Sequence, residues 1–95
     1  MQVKAAIEKK LTVALAPARL SIVDESHRHA GHAGARPEGE THFRVEIVAA
    51  GFGGLSRVQR QRLVYEILAE ELKGPVHALA LQTWTPEEDR VASNR

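Results

Sequence analysis

The hydrophobic pattern changes its period several times along the chain, and each change marks an element. Val3, Ile7, Leu11 and Leu15 recur every fourth residue with Glu8, Lys9 and Lys10 off the stripe, which predicts an amphipathic helix that Pro17 ends. Within Arg19 to Glu25, Leu20 and Ile22 share one face and β-branched Val23 lies beside them, so a first strand is expected. From Thr41, the apolar residues Phe43, Val45, Ile47 and Ala49 alternate with His42, Arg44 and Glu46, the signature of a strand with one face packed and one face wet. Gly51, Gly53 and Gly54 break that alternation, since glycine accepts left-handed backbone angles without steric cost. Ser56 with Gln59 three residues on forms a capping box, and Val58, Leu63, Val64, Tyr65, Ile67, Leu68 and Leu72 carry one long helix to Lys73 and Gly74. Val76 to Trp84 is a short, nearly continuous apolar run, which predicts an interior or doubly covered strand. Thr85, Pro86 and Glu88 provide an N-cap, a first-turn proline and a capping-box acid for a final short helix, while the tail 90–95 is expected to fray.

This order, α-β-β-α-β-α, predicts a single domain over residues 1–95. The first two strands should pair antiparallel, and the helical connection from the second to the third favours a right-handed parallel crossover. The expected architecture is an α+β two-layer sandwich, a three-stranded mixed sheet with helices on one face. Residues 26–40, which include SHRHAGHAGARPEG, hold three of the five histidines and no periodicity, so a long, mobile polar loop is expected between the first two strands.

Composition narrows the function. Ninety-five residues suffice for one two-layer core but not for an enclosed cleft between two lobes. A net charge of +1 provides no strong field that would force binding to nucleic acid or an anionic membrane. The absence of cysteine excludes disulfides, thiol catalysis and thiolate ligands from this chain. No apolar run approaches the roughly 18 residues that span a bilayer, and Met-Gln-Val-Lys does not begin a signal peptide, so no membrane partner and a cytoplasmic address are expected. Ser56 is used as a cap, and Ser26, His29 and Asp24 make no convincing triad. A catalyst in its own right is not expected.

Two edges of the sheet carry candidate chemistry. Parallel neighbours start at the same edge, so His77 should lie near Thr41 and therefore near the histidine loop, which makes His29 or His32 its candidate partner. His42 reads as a surface histidine beside Arg44. Two neutral imidazoles leave coordination positions open on a bound metal, and a partner bringing thiolates could complete the site, because histidine can replace cysteine in iron-sulfur clusters. At the opposite edge, Gly51-Phe52-Gly53-Gly54 leads to Arg57, Arg60 and Arg62. A G-x-x-G turn before a helix resembles the loop with which KH domains clamp a nucleic-acid backbone, although Glu66, Glu70 and Glu71 follow closely.

The stretches DESxxH (Asp24 to His29), ETHFRV (Glu40 to Val45), FGGLSRVQRQRLVYEILAEEL (Phe52 to Leu72) and VHALALQTWTP (Val76 to Pro86) resemble the BolA family over nearly the whole chain. The resemblance implies a KH-like α+β fold of the class II KH kind. It also implies a monomeric, non-enzymatic partner of monothiol (CGFS) glutaredoxins, sharing a glutathione-ligated [2Fe-2S] cluster in iron-sulfur trafficking or iron homeostasis, with no cofactor held tightly by the protein alone. The histidine of the family's VHAL motif falls on His77, the implied cluster ligand. The second ligand comes from the loop, where counting forward from DES gives His29 and the lengthened HRHAGHAG leaves His32 as a rival. Family members have also been regarded as transcriptional regulators that bind DNA, which here implicates Gly51, Gly53, Gly54, Arg57, Arg60 and Arg62. Gln61 departs from the RHR often found at that helix start.

Overall fold

The computed structural model describes residues 3–25 and 42–93. Helix α1 (Val3–Leu15) leads to β1 (Arg19–Asp24), and β2 (His42–Val48) follows, with a 3-10 turn over Ala50–Phe52. Then come α2 (Arg57–Ile67), α3 (Ala69–Lys73), β3 (Ala78–Trp84) and α4 (Pro86–Ser93). The strand order is β1-β2-β3, with β1 antiparallel to β2 and β2 parallel to β3. The mixed three-stranded sheet and its parallel crossover are therefore as the sequence predicts.

The core forms where the two periodicities meet. Ile7 and Leu11 from the four-residue stripe of α1 pack with Phe43, Val45 and Ile47 from the alternating face of β2, and with Phe52, Val64, Leu68 and Val76. All of these are buried, while Arg44 on the other face of β2 is exposed. Covering such side chains is worth about 1.5–3 kcal/mol each, which makes the match between helix stripe and strand face the main stabilising feature. Across the layer, Lys10 on α1 reaches Glu70 at 2.9 Å and Glu71 at 2.8 Å. Hydrogen bonds from its ammonium to the two carboxylates hold the Lys10 pKa above its ordinary value.

Three expectations change. Strand β3 is an edge strand whose residues alternate between exposed and half-buried, not an interior one, because β2 occupies the middle of the sheet. Its apolar run includes Ala78 and Ala80, small side chains that the open face tolerates in water. The single long helix after Ser56 is divided: Leu68 turns out of helical geometry at φ −102°, ψ 22°, separating α2 from α3. Nor do all the helices lie on one face. On α4, Asp89 pairs with Arg19 and Glu88 pairs with Arg60 of α2, so this helix straddles the end of the sheet where β2 and β3 finish. Arg19 registers with Val48, which points away from the main core and is nonetheless only 2% exposed.

Both predicted capping boxes are present. The Ser56 N–H donates to Gln59 Oε1 at 2.8 Å and the Gln59 N–H to Ser56 Oγ at 3.1 Å. Thr85 and Glu88 exchange the equivalent bonds at 2.8 and 3.2 Å. Helix α1 ends differently, on Ala16 at φ 43°, a left-handed position for a side-chain-bearing residue. Glycine is favoured just past a helix end because it lacks the Cβ that makes this conformation costly. Ala16→Gly is expected to raise stability by up to about 1 kcal/mol, read as a higher midpoint in urea unfolding with an unchanged slope.

Candidate functional site

Register fixes what meets at each end of the β2–β3 pair. His42 lies opposite Ala78, so His77, the residue before β3, stands at the same end as the start of β2. His77 is exposed and His42 half-buried. Their rings approach edge to face, with centroids 6.1 Å apart and planes at 71°. The neighbouring strand is tied in at the same level: the Glu25 N–H donates to the His42 carbonyl at 2.8 Å, and the Glu25 carboxylate pairs with Arg44 Nε at 3.2 Å. His77 is reachable from solvent at this edge and takes no part in the core.

His29 and His32, the loop histidines expected beside His77, lie outside the described residues. His42, a surface position on the strand pattern, is the imidazole next to His77 among the described residues. The signal was present in the sequence: a parallel register that brings His77 to Thr41 also brings it to the next residue along.

The other end of the sheet is built around Arg60. Val48 registers with Trp84, and the Ala49 N–H extends the ladder by donating to the Trp84 carbonyl at 2.9 Å. Among the three glycines of the turn only Gly54 takes a left-handed angle, φ 80°. Gly51, Gly53 and Gly54 are exposed, as are Arg57 and Arg62. Arg60 is not. It is 7% exposed, and its guanidinium donates to the Leu55 carbonyl at 3.0 Å, the Thr83 carbonyl at 3.1 Å and Glu88 Oε1 at 2.7 Å. The expectation that Arg60 meets phosphate is corrected accordingly, because its donors serve two carbonyls and a carboxylate. The concavity beside Gly53 and Gly54 is lined by Arg60, Glu87 and Glu88, and with Arg60 paired to Glu88 the carboxylate of Glu87 opposes an anion there. Arg57 stands with its guanidinium carbon 5.8 Å from the centre of the Trp84 ring, a cation–π contact, and remains the cation best placed to meet a ligand at this end.

Comparison with known proteins decides between general fold likeness and kinship. A family model described as BolA-like protein matches residues 11–88. The chain belongs to the BolA-like family. It is 53% identical over 88 residues to BolA-like protein 1 of Mus musculus, an alignment that covers 93% of this chain and 61% of the mouse protein. The chain thus spans about three fifths of that relative's length. It is 46% identical over 88 residues to the DNA-binding transcriptional regulator BolA of Escherichia coli K12, covering 93% of this chain and 80% of that one. Among solved structures, the solution structure of mouse BolA1 superposes with a TM-score of 0.81 at 50% identity, over 98% of this chain and 72% of the mouse chain.

Arg60 also sets a pH response. Its hydrogen bonds to Glu88, with the Thr85 backbone N–H second, pull the Glu88 carboxyl from 4.5 down to about 2. A depressed carboxylate pKa contributes stability that is complete above the unfolded value and is lost as pH falls through the folded one. Glu88→Gln should therefore lower the melting temperature at pH 7. The difference from the parent chain should shrink as pH drops from about 4.5 to about 2, as followed by circular dichroism melts across that range.

Proposed function

We propose that this BolA-like protein is a non-enzymatic partner of a monothiol CGFS glutaredoxin, with which it shares a glutathione-ligated [2Fe-2S] cluster in iron-sulfur trafficking or iron homeostasis. The observation that carries the reading is the exposed His77 at the start of β3, on an open sheet edge beside a second imidazole. A chain without cysteine can offer a cluster no thiolate, so the thiolates come from the glutaredoxin cysteine and glutathione. His77 is one protein-side ligand, and His29 or His32 of the loop is the other. Alone, the protein then holds no cluster, because two imidazoles from one side leave each iron short of sulfur.

Co-purification with a CGFS glutaredoxin under anaerobic conditions, followed by visible absorption and circular dichroism, tests this. His77→Ala should abolish the spectrum of the mixed complex or convert it to that of the glutaredoxin homodimer. A spectrum identical to that of the parent complex would remove His77 from the cluster.

The second reading, a KH-like DNA-binding regulator, is favoured by the Escherichia coli relative named for that role and by the exposed Gly54, Arg57 and Arg62 at the opposite end. It predicts that Arg57→Ala with Arg62→Ala weakens DNA binding uniformly across sequences and flattens its salt dependence by about two phosphate contacts. A gel shift series over increasing salt measures both, and absence of retardation at moderate salt would leave the reading without support. Arg60 is unsuited to this test, since its loss would disturb the fold.

A further inference from the structure

Strand β3 closes the sheet on one side, so one of its long edges pairs with β2 and the other has no strand beside it among the described residues. Successive residues of a strand turn their N–H and C=O groups to opposite edges. The Trp84 carbonyl accepts from the Ala49 N–H, in line with β2, which puts the backbone groups of Ala80 and Gln82 on that side and those of Leu79, Leu81 and Thr83 on the outer one. The Thr83 carbonyl agrees, since it accepts from Arg60 Nη1 rather than from β2. Among the described residues nothing bonds the N–H or carbonyl of Leu79, those of Leu81, or the Thr83 N–H. Open edges are commonly guarded by charged side chains or proline, and β3, ALALQTW, contains neither.

Beside this edge lies a hollow of about 290 Å³ between β3 and the first two turns of α2, lined by Leu81, Gln82, Thr83, Trp84, Arg57 and Gln61. Exposed Arg57 is the one charged residue in that lining. The Trp84 indole N–H is buried and has no acceptor among the described residues, a donor that is costly to leave unmet. We propose that the outer edge of β3 takes up an extended acidic peptide as a fourth strand, with a carboxylate side chain of the peptide on Arg57.

What the edge offers selects this occupant. A peptide brings N–H and C=O groups in alternation and so meets both kinds of group on Leu79 and Leu81, whereas the phosphates of a nucleic acid bring acceptors and leave the two carbonyls unmet. A single arginine matches one carboxylate better than a run of phosphates. Toward Trp84 the donors outnumber the acceptors, because Arg60 occupies the Thr83 carbonyl while the Thr83 N–H, the indole N–H and the Arg57 guanidinium remain. The adjoining hollow, which shares Arg57 and Trp84, already contains Glu87 and Glu88, so a carboxylate from outside is directed to the β3 side, where there is none.

Neither His77 nor a cluster takes part, while Arg57 is shared with DNA binding, so both kinds of ligand enter the test. An array of short peptides, with glutamate, lysine or glutamine at alternate positions and varied apolar residues between them, is probed with the full chain, and the tightest glutamate peptide is titrated into the isotopically labelled protein. Glutamate peptides should bind in preference to the lysine series. The amide signals of Leu79, Leu81 and Thr83 should shift, and their hydrogen exchange, fast in the free chain, should slow at least tenfold, while Ala80 and Gln82, protected by β2 throughout, change little. Arg57→Ala should weaken binding at least fivefold with an unchanged circular dichroism spectrum. N-methylation of alternate peptide amides should abolish binding in one phase of the alternation and spare it in the other. The proposal is overturned if no glutamate peptide binds saturably, if the Leu81 and Thr83 amides are already protected in the free chain, or if methylation in both phases leaves the affinity unchanged. A short oligodeoxythymidine that shifts these amides where no peptide does would overturn it too, in favour of single-stranded nucleic acid, and none of these outcomes bears on the glutaredoxin complex, which is read at His77.

Discussion

Parallel pairing between β2 and β3 determines which residues can act together. Because the two strands run the same way, both of their beginnings lie at one end of the sheet and both of their ends at the other. His42 and His77 meet at the first end, while Val48, Trp84, the glycine turn and the start of α2 gather at the second. An antiparallel pairing would have put His77 beside the glycine turn and mixed the two chemistries. Instead the seven residues of β2 hold them about 20 Å apart. The crossover that enforces this is held by burial, since the helical connection must lay Val64 and Leu68 onto the face that presents Phe43, Val45 and Ile47.

The two ends differ in what their charged groups are free to do. At the far end, the guanidinium of Arg60 bridges the turn before α2, the last part of β3 and the capping box of α4. A buried guanidinium without these acceptors would carry a large desolvation cost, so the three elements and the cation hold one another in place. That arrangement uses up charge that the spacing of Arg57, Arg60 and Arg62 suggested was available to a ligand. At the near end, neither His42 nor His77 belongs to the core, and His77 is exposed to solvent.

Much of the fold was legible because the period of the hydrophobic pattern is enforced by burial. The stripe Ile7 and Leu11, the alternation Phe43, Val45 and Ile47, and the boxes Ser56–Gln59 and Thr85–Glu88 all do what their spacing implies. Strand β3 misled because Ala78 and Ala80 count as apolar while being small enough to sit in water, so an edge strand resembled an interior one. The break at Leu68 was hidden because the apolar pattern runs straight through it, and only the backbone angle reveals it. The parallel crossover alone puts His77 at the end of the sheet where β2 begins, and the register has it there. The fate of Arg60 was not readable, since Glu88, its partner 28 positions away, becomes a neighbour only when α4 folds back over the sheet end.

The proposed partnership requires the His77 end of the sheet to meet the glutaredoxin. Backbone and imidazole NMR spectra of the isotopically labelled chain, recorded while cluster-loaded CGFS glutaredoxin is added, measure this directly. Paramagnetic broadening should remove the signals of His42, His77 and Ala78 first and leave Gly53, Gly54 and Arg57 sharp. Broadening centred on the glycine turn, with His77 unaffected, would contradict it.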